Sequence, residues 1–192
     1  YYFNGWLFEF THFTTALNQA QRIILENHFA AKFGLYLEEG DWYTMDHWSN
    51  GDFDYDVAGI GMDENGEVNN NAQGNSMVAF TGLSQLQEEE YFIWGHNNEP
   101  LDWTDDDIAE DMDYMLERRW KASEFGGNPG ACDVVFDMSE LGLDPTFQYR
   151  ILLDTNNDED FSDEVPLETI PLVGATNELT FQSVDLPENQ AF

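Results

Sequence analysis

Residues 154–164 read Asp-Thr-Asn-Asn-Asp-Glu-Asp-Phe-Ser-Asp-Glu. Asp154, Asn156, Asp158 and Asp160 thus offer side-chain oxygens at alternate positions, with Asp163 and Glu164 close behind. Calcium is a hard cation that takes six to eight oxygens, and alternate side chains of a tight loop can converge on it. These six residues are therefore the candidate Ca2+ ligands. The run starts like an EF-hand loop and then departs from it: Glu159 stands where that loop needs glycine, and Val165 where it needs its closing glutamate. The apolar stretch 149–153 leads in, so the expected setting is a calcium loop between strands.

Other polar groups carry weaker signals. Asp52, Asp54 and Asp56 alternate with Phe53, Tyr55 and Val57, as the polar face of a strand would. Asp63-Glu-Asn65-Gly66, followed by Glu67, reads as a turn. The runs Glu88–Glu90 and Asp105–Asp107 read as solvated faces. His12, His28, His47 and His96 are scattered, and none falls in a metal spacing such as HExxH. There is no nucleophile elbow or P-loop, and Gly59-Ile60-Gly61 lacks the third glycine and the helix of a dinucleotide site. Two carboxylates of a glycosidase are numerically available, but nothing singles out a pair. Trp42, Trp48, Trp94 and Trp103 could stack on sugars, with core packing as the default. A non-catalytic protein is expected, with a carbohydrate-binding module and a glycan-active enzyme fragment as the alternatives.

Six Lys and Arg against thirty-nine Asp and Glu give a formal net charge of -33. Such a surface repels phosphate backbones and excludes nucleic-acid binding; it also disfavours anionic lipid. Left uncompensated it would strain a compact fold, so salt or Ca2+ is expected to offset it. With 42% hydrophobic residues the chain can still bury a core. Cys132 stands alone, which rules out an intrachain disulfide and leaves calcium as the available staple. No apolar run approaches the roughly 20 residues that span a bilayer, so no membrane insertion is expected. The opening Tyr1-Tyr2-Phe3-Asn4-Gly5-Trp6 reads as the interior of a β-structure, and a piece of something longer is expected.

The elements that would position the loop are mostly strands. Residues 3–13 alternate around aromatics. A helix comes next, opened by an Asn18/Gln21 capping box and closed at Gly34. Its apolar residues Ala20, Ile23, Ile24, Leu25, Phe29, Ala30, Ala31 and Phe33 spread over more than one face, which predicts a buried helix wedged between two packed units. Beyond residue 41, short apolar runs punctuated by Gly, Asn, Asp and Pro predict strands at 56–62, 76–82, 91–96, 115–122, 133–137, 149–154, 168–172 and 178–184. Arg118, Arg119 and Lys121 fall in one of them and read as internal ion-pair partners. Residues 102–113 carry seven acids and predict a short surface helix from near Thr104. The fold class is mainly β: an antiparallel β-sandwich with one buried helix near the N-terminus.

Several ordered motifs carry a resemblance. Asn4-Gly5 with Glu9, the entry Ala16-Leu17-Asn18-Gln19-Ala20-Gln21-Arg22 and the exit Phe29-Ala30-Ala31-Lys32-Phe33-Gly34-Leu35 resemble the end of a LamG/concanavalin-like lectin domain. The remainder of the chain is similar to an uncharacterised domain found after such lectin-like domains in large secreted and surface proteins of Bacteroidetes and other bacteria. The matching pieces are Val57-Ala58-Gly59-Ile60-Gly61-Met62-Asp63, Phe92-Ile93-Trp94-Gly95-His96-Asn97, Arg118-Arg119-Trp120-Lys121-Ala122 and the 152–161 segment. The resemblance implies a division into 1–35, the final strand and helix of the lectin-like domain, and 36–192, a β-sandwich surface-protein domain. It implies an extracellular, structural or adhesive module, and it supplies no catalytic residues. The expected partners are neighbouring domains of the parent chain, further copies assembling into a filament or sheath, and glycans.

Overall fold

The Asn18 side chain accepts the backbone N–H of Gln21 at 2.8 Å, and the Gln21 side chain accepts that of Asn18 at 3.1 Å. This reciprocal pair opens helix α1 (Gln19–Phe33) in the computed structural model, which describes residues 4–73, 77–174 and 177–192. Gly34 closes the helix at φ 59°, a left-handed turn that aims the N–H of Leu35 at the Ala30 carbonyl, 2.9 Å away.

Among the described residues, eleven strands come after it: β1 (Tyr55–Met62), β2 (Val68–Asn69), β3 (Asn71–Gln73), β4 (Val78–Thr81), β5 (Tyr91–His96), β6 (Trp103–Thr104), β7 (Met115–Leu116), β8 (Trp120–Phe125), β9 (Cys132–Asp137), β10 (Leu172–Val173) and β11 (Glu178–Val184). They form a four-stranded sheet in the order β2-β1-β5-β8, a five-stranded sheet in the order β10-β11-β9-β4-β3, and the small pair β6-β7. Every pairing is antiparallel. The chain is thus mainly β with one helix near its N-terminus, consistent with a sandwich.

Alternation decides which side chain faces which layer. Ala58, Ile60, Phe92, Trp94, Trp120 and Ala122 of the four-stranded sheet meet Val78, Phe80, Val134, Phe136, Leu179 and Phe181 of the other. Phe80 and Trp94 pack edge to face with ring centroids 4.5 Å apart. The opposite face of the four-stranded sheet, Val57, Tyr91 and Ile93, is covered by Ala20, Ile24 and Ala31 of α1 with Tyr43, Met45 and Phe53. With both faces covered, β5 is buried along its whole length. Gly59 makes the helix contact possible: a Cβ there would stand 3.2 Å from Ile24 and 3.0 Å from Ile93.

Several expected elements differ. Among the described residues, 4–13 form no strand and are largely exposed; Phe3 lies outside them. The helix buries one stripe, Ala20, Ile24, Asn27, Ala30 and Ala31, against β1, rather than being enclosed on several sides. Its apolar surplus goes instead to a local aromatic cluster, with Phe33 stacked on Phe29 and tilted against Phe8. The 115–122 run splits into β7 and β8, and 168–172 contributes Leu172 alone to β10. The start of the 76–82 run, Ser76, lies outside the described residues. No helix forms at 102–113, where Trp103–Thr104 is a strand and Asp107 and Asp111 hold positive φ values of 52° and 71°. Residues 151–154 are buried but form no ladder: Ile151 O accepts from Leu167 N and Asp154 N donates to Ala191 O.

Candidate metal centre

The 154–164 loop begins on a buried carboxylate. Asp154 is fully buried, and its Oδ1 accepts the backbone N–H groups of Asn157 at 2.7 Å and Asp158 at 3.2 Å, while Oδ2 accepts that of Glu159 at 3.0 Å. Asn156, Asp158 and Asp160 repeat the device on a smaller scale, accepting the N–H groups of Asp158, Asp160 and Ser162. Asx turns of this kind wind the loop because a short side-chain acceptor replaces the missing backbone partner. Asn157 and Glu159 take left-handed φ values of 64° and 66° to complete the winding. Glu164, also buried, folds back to the start of the loop, where the Thr155 N–H and hydroxyl both donate to its carboxylate.

The six expected ligands therefore fall into two sets and one residue apart, Asp160. Asp154 and Glu164 face inward, their oxygens engaged with the loop's own donors. Asn156, Asp158 and Asp163 are exposed and converge: the Asn156 amide nitrogen lies 3.1 Å from Oδ2 of Asp158 and 3.1 Å from Oδ2 of Asp163. Asp160 turns to Ser162, whose hydrogen bonds, with a smaller contribution from the Arg119 charge, hold its carboxyl below the usual range. Among the described residues, no three His, Cys, Asp or Glu side chains gather into a metal-binding group. A cation here would draw on Asp158, Asp163 and water, displacing the Asn156 amide nitrogen that now faces both carboxylates; the Asn156 oxygen would join only if that amide turned over and released the Asp158 N–H. That is an all-oxygen donor set of the kind a hard cation takes, and two carboxylates brought to one point fit it.

Residues far away in sequence hold this loop in place. Asp154 N–H donates to Ala191 O at 2.9 Å, and the Gln190 amide donates to Thr155 O at 3.2 Å. Lys121 of β8 is only 4% exposed; its Nζ donates to Asn157 Oδ1 at 3.2 Å and Asn50 O at 3.3 Å and lies 5.0 Å from the Phe53 ring centre. Burial lowers the Lys121 pKa, and the charges of Glu159 and Asp154 oppose that shift. Arg119 lies over the buried Phe161 ring at 4.8 Å and donates to Glu159 O at 2.8 Å. The basic cluster thus differs from its expected role. Among the described residues neither Arg118 nor Arg119 has a carboxylate in ion-pair contact; they donate to the carbonyls of Glu99 and Glu159. Lys121 and Gln190 escape sequence reasoning because nothing local marks them as loop partners, and Thr155 because it lacks a carboxylate or amide oxygen.

The remaining candidates have structural duties. Asp63 Oδ1 accepts the N–H groups of Asn65 and Glu67, as its turn requires. His28 Nδ1 lies 2.9 Å from Val57 O, His47 caps a short 3-10 turn, and buried His96 bridges Asp56 and Asn98 N. Burial lowers the His96 pKa, with the Asp56 hydrogen bond opposing. Trp94 is sealed in the core, whereas Trp42 stacks on Phe125 at 4.2 Å and Trp48 is exposed.

Residues 21–190 match the protein family described as Domain of unknown function (DUF8202). No curated protein and no solved structure matches the chain.

Proposed function

The chain belongs to that family of unknown function, and from the loop geometry together with the motif resemblance we propose a non-catalytic structural or adhesive module of a secreted or cell-surface protein, stiffened by Ca2+ at the 154–164 loop. The observation that carries the reading is the position of the loop. It joins β8, the segment around Asn50 and residues 190–191, and its anchor Asp154 is buried at their meeting point. An ion at Asp158 and Asp163 would tighten the outer turn of a loop whose inner turn already ties the sandwich together. It would also neutralise two charges in a chain of net charge -33.

Exposed aromatics support the adhesive part of the proposal. Trp6, Phe8 and Phe10 are 89%, 79% and 78% exposed, and Phe8 packs against Phe33 of α1. Apolar groups crowded on a charged surface mark contacts with neighbouring domains or further copies. A role as a carbohydrate-binding module loses Trp94 as a sugar platform, since that ring is closed in by Phe80 and Phe92.

Thermal unfolding in Ca2+ and in EGTA tests the calcium reading. A ligand bound only by the folded state raises stability by RT ln(1+[L]/Kd). We expect Ca2+ to raise the melting temperature and the double change Asp158→Ala/Asp163→Ala to abolish the rise. Equal melting temperatures with and without chelator would refute it.

A further inference from the structure

A cavity of about 430 Å3 opens beside β6, β7 and the start of β8, and its lining is unusual for this chain. Three of the six basic residues, Arg118, Arg119 and Arg150, line it. Arg118 Nε donates to Glu99 O at 2.8 Å, Arg119 Nη1 to Glu159 O at 2.8 Å, and Arg150 Nη1 to Tyr149 O at 3.4 Å. Among the described residues no carboxylate is in ion-pair contact with any of them, although the chain carries thirty-nine. Two acids, Asp111 and Asp113, also line the cavity, leaving the arginines in excess.

The other walls are aromatic. Trp103 and Phe147 flank Tyr149 with ring centroids each 6.4 Å from it, and Trp120 lies deeper. Two buried donors of lining residues, Nε of Arg119 and Nε1 of Trp120, have no acceptor among the described residues. A buried donor without a partner is costly enough that native structures seldom keep one. A guanidinium is always charged and presents a planar fork matched to a carboxylate, and it acts more strongly beside apolar walls than in water. The volume falls within the roughly 300–1,000 Å3 typical of small-molecule sites. Three arginines outnumber the two acids that line the cavity, and at physiological salt exposed charges farther away are screened over about 8 Å.

We propose that this cavity binds a small organic acid, its carboxylate held by Arg118, Arg119 and Arg150 and a ring face laid against Trp103 and Tyr149. Two sources share that chemistry: an acidic sugar and an aromatic acid. The cavity adjoins the calcium loop, whose Phe161 lines it and whose Glu159 carbonyl holds Arg119, but the acid needs no metal and its test is read without one.

The full chain is titrated with D-glucuronate and with phenylacetate, each beside its neutral counterpart, glucose and phenylacetamide. Tryptophan fluorescence and calorimetry report binding. One acid saturates at millimolar concentration or below, and its counterpart binds at least about tenfold more weakly. Glucuronate binding assigns a sugar acid, and phenylacetate binding an aromatic acid. Arg150→Gln and Arg118→Gln each weaken binding about tenfold while the melting temperature holds; these two arginines make few contacts, so either can stand if the other variant unfolds. No saturation by either acid, equal affinity for the neutral counterpart, or affinity unchanged in both variants overturns the proposal.

Discussion

Replacing Asp154 by alanine isolates the structural half of the loop from its metal half. In the folded chain one buried carboxylate accepts three N–H groups, at 2.7, 3.2 and 3.0 Å. Hydrogen bonds to charged groups contribute about 1.5–3 kcal/mol each, but the three share one acceptor and residues 155–159 can relax toward water. Their joint loss is therefore on the order of 3–4 kcal/mol. The Lys121 ammonium also loses the negative charge of its neighbour. For a chain of this size 1 kcal/mol shifts the midpoint by roughly 2–4 °C, so Asp154→Ala is expected to melt about 10 °C lower. Calorimetry in EGTA is the assay, because chelation removes any metal contribution. Asp154→Asn keeps one acceptor oxygen and is expected to lose about half as much. Exposed Asp158→Ala serves as the control and melts within about 2–4 °C of the parent in chelator, since the turn hydrogen bonds it loses face water and removing one acid relieves repulsion. An Asp154→Ala melting point within about 1 °C of the parent would refute the reasoning.

Two more outcomes are expected from other parts of the fold. Burial, and then the charges of Glu188, Asp185 and Glu90, push the Glu124 carboxyl up to about 7 from an ordinary 4.5. A pKa raised on folding gives stability that is complete below pH 4.5 and fades as pH rises toward 7. Because Glu124 is half-buried and partly screened, Glu124→Gln should be only about 1 kcal/mol more stable than the parent at pH 8 and equal to it at pH 4.5; chemical denaturation at both pH values checks the difference. Gly95 lies where a Cβ would stand 2.4 Å from Phe53 O and 2.5 Å from the Tyr43 hydroxyl, which itself donates to Phe53 O. Gly95→Ala should destabilise by about 1–3 kcal/mol in urea unfolding, and an unchanged midpoint would show that the approach is not tight.

The parts of this protein legible in the sequence are those built from neighbours. The Asn18/Gln21 box and Gly34 bound the helix because their hydrogen bonds span three to five residues. Strands 91–96 and 178–184 appear at those bounds because the first is a short apolar run and the second sets Leu179, Phe181 and Val184 among polar residues, each closed by turn residues. The loop at 154–164 is visible as a row of oxygens, and its Asx turns are equally local. The aromatic pattern of 3–13 misleads, because alternation gives a strand only where another strand accepts its ladder, and none pairs with the described part of that segment.

Tertiary structure decides which of these oxygens are buried and what surrounds them. No pattern within residues 154–164 separates Asp154 from Asp158, yet one is sealed against Lys121 and Ala191 while the other meets water. Arg118, Arg119 and Arg150 share a cavity only because the start of β8 and the segment before Ile151 meet across a gap of some thirty residues. Side-chain periodicity fixes the face on which a residue stands. The charge it meets there depends on long-range packing, and in a chain this acidic that packing separates a structural anchor from a solvent-facing ligand.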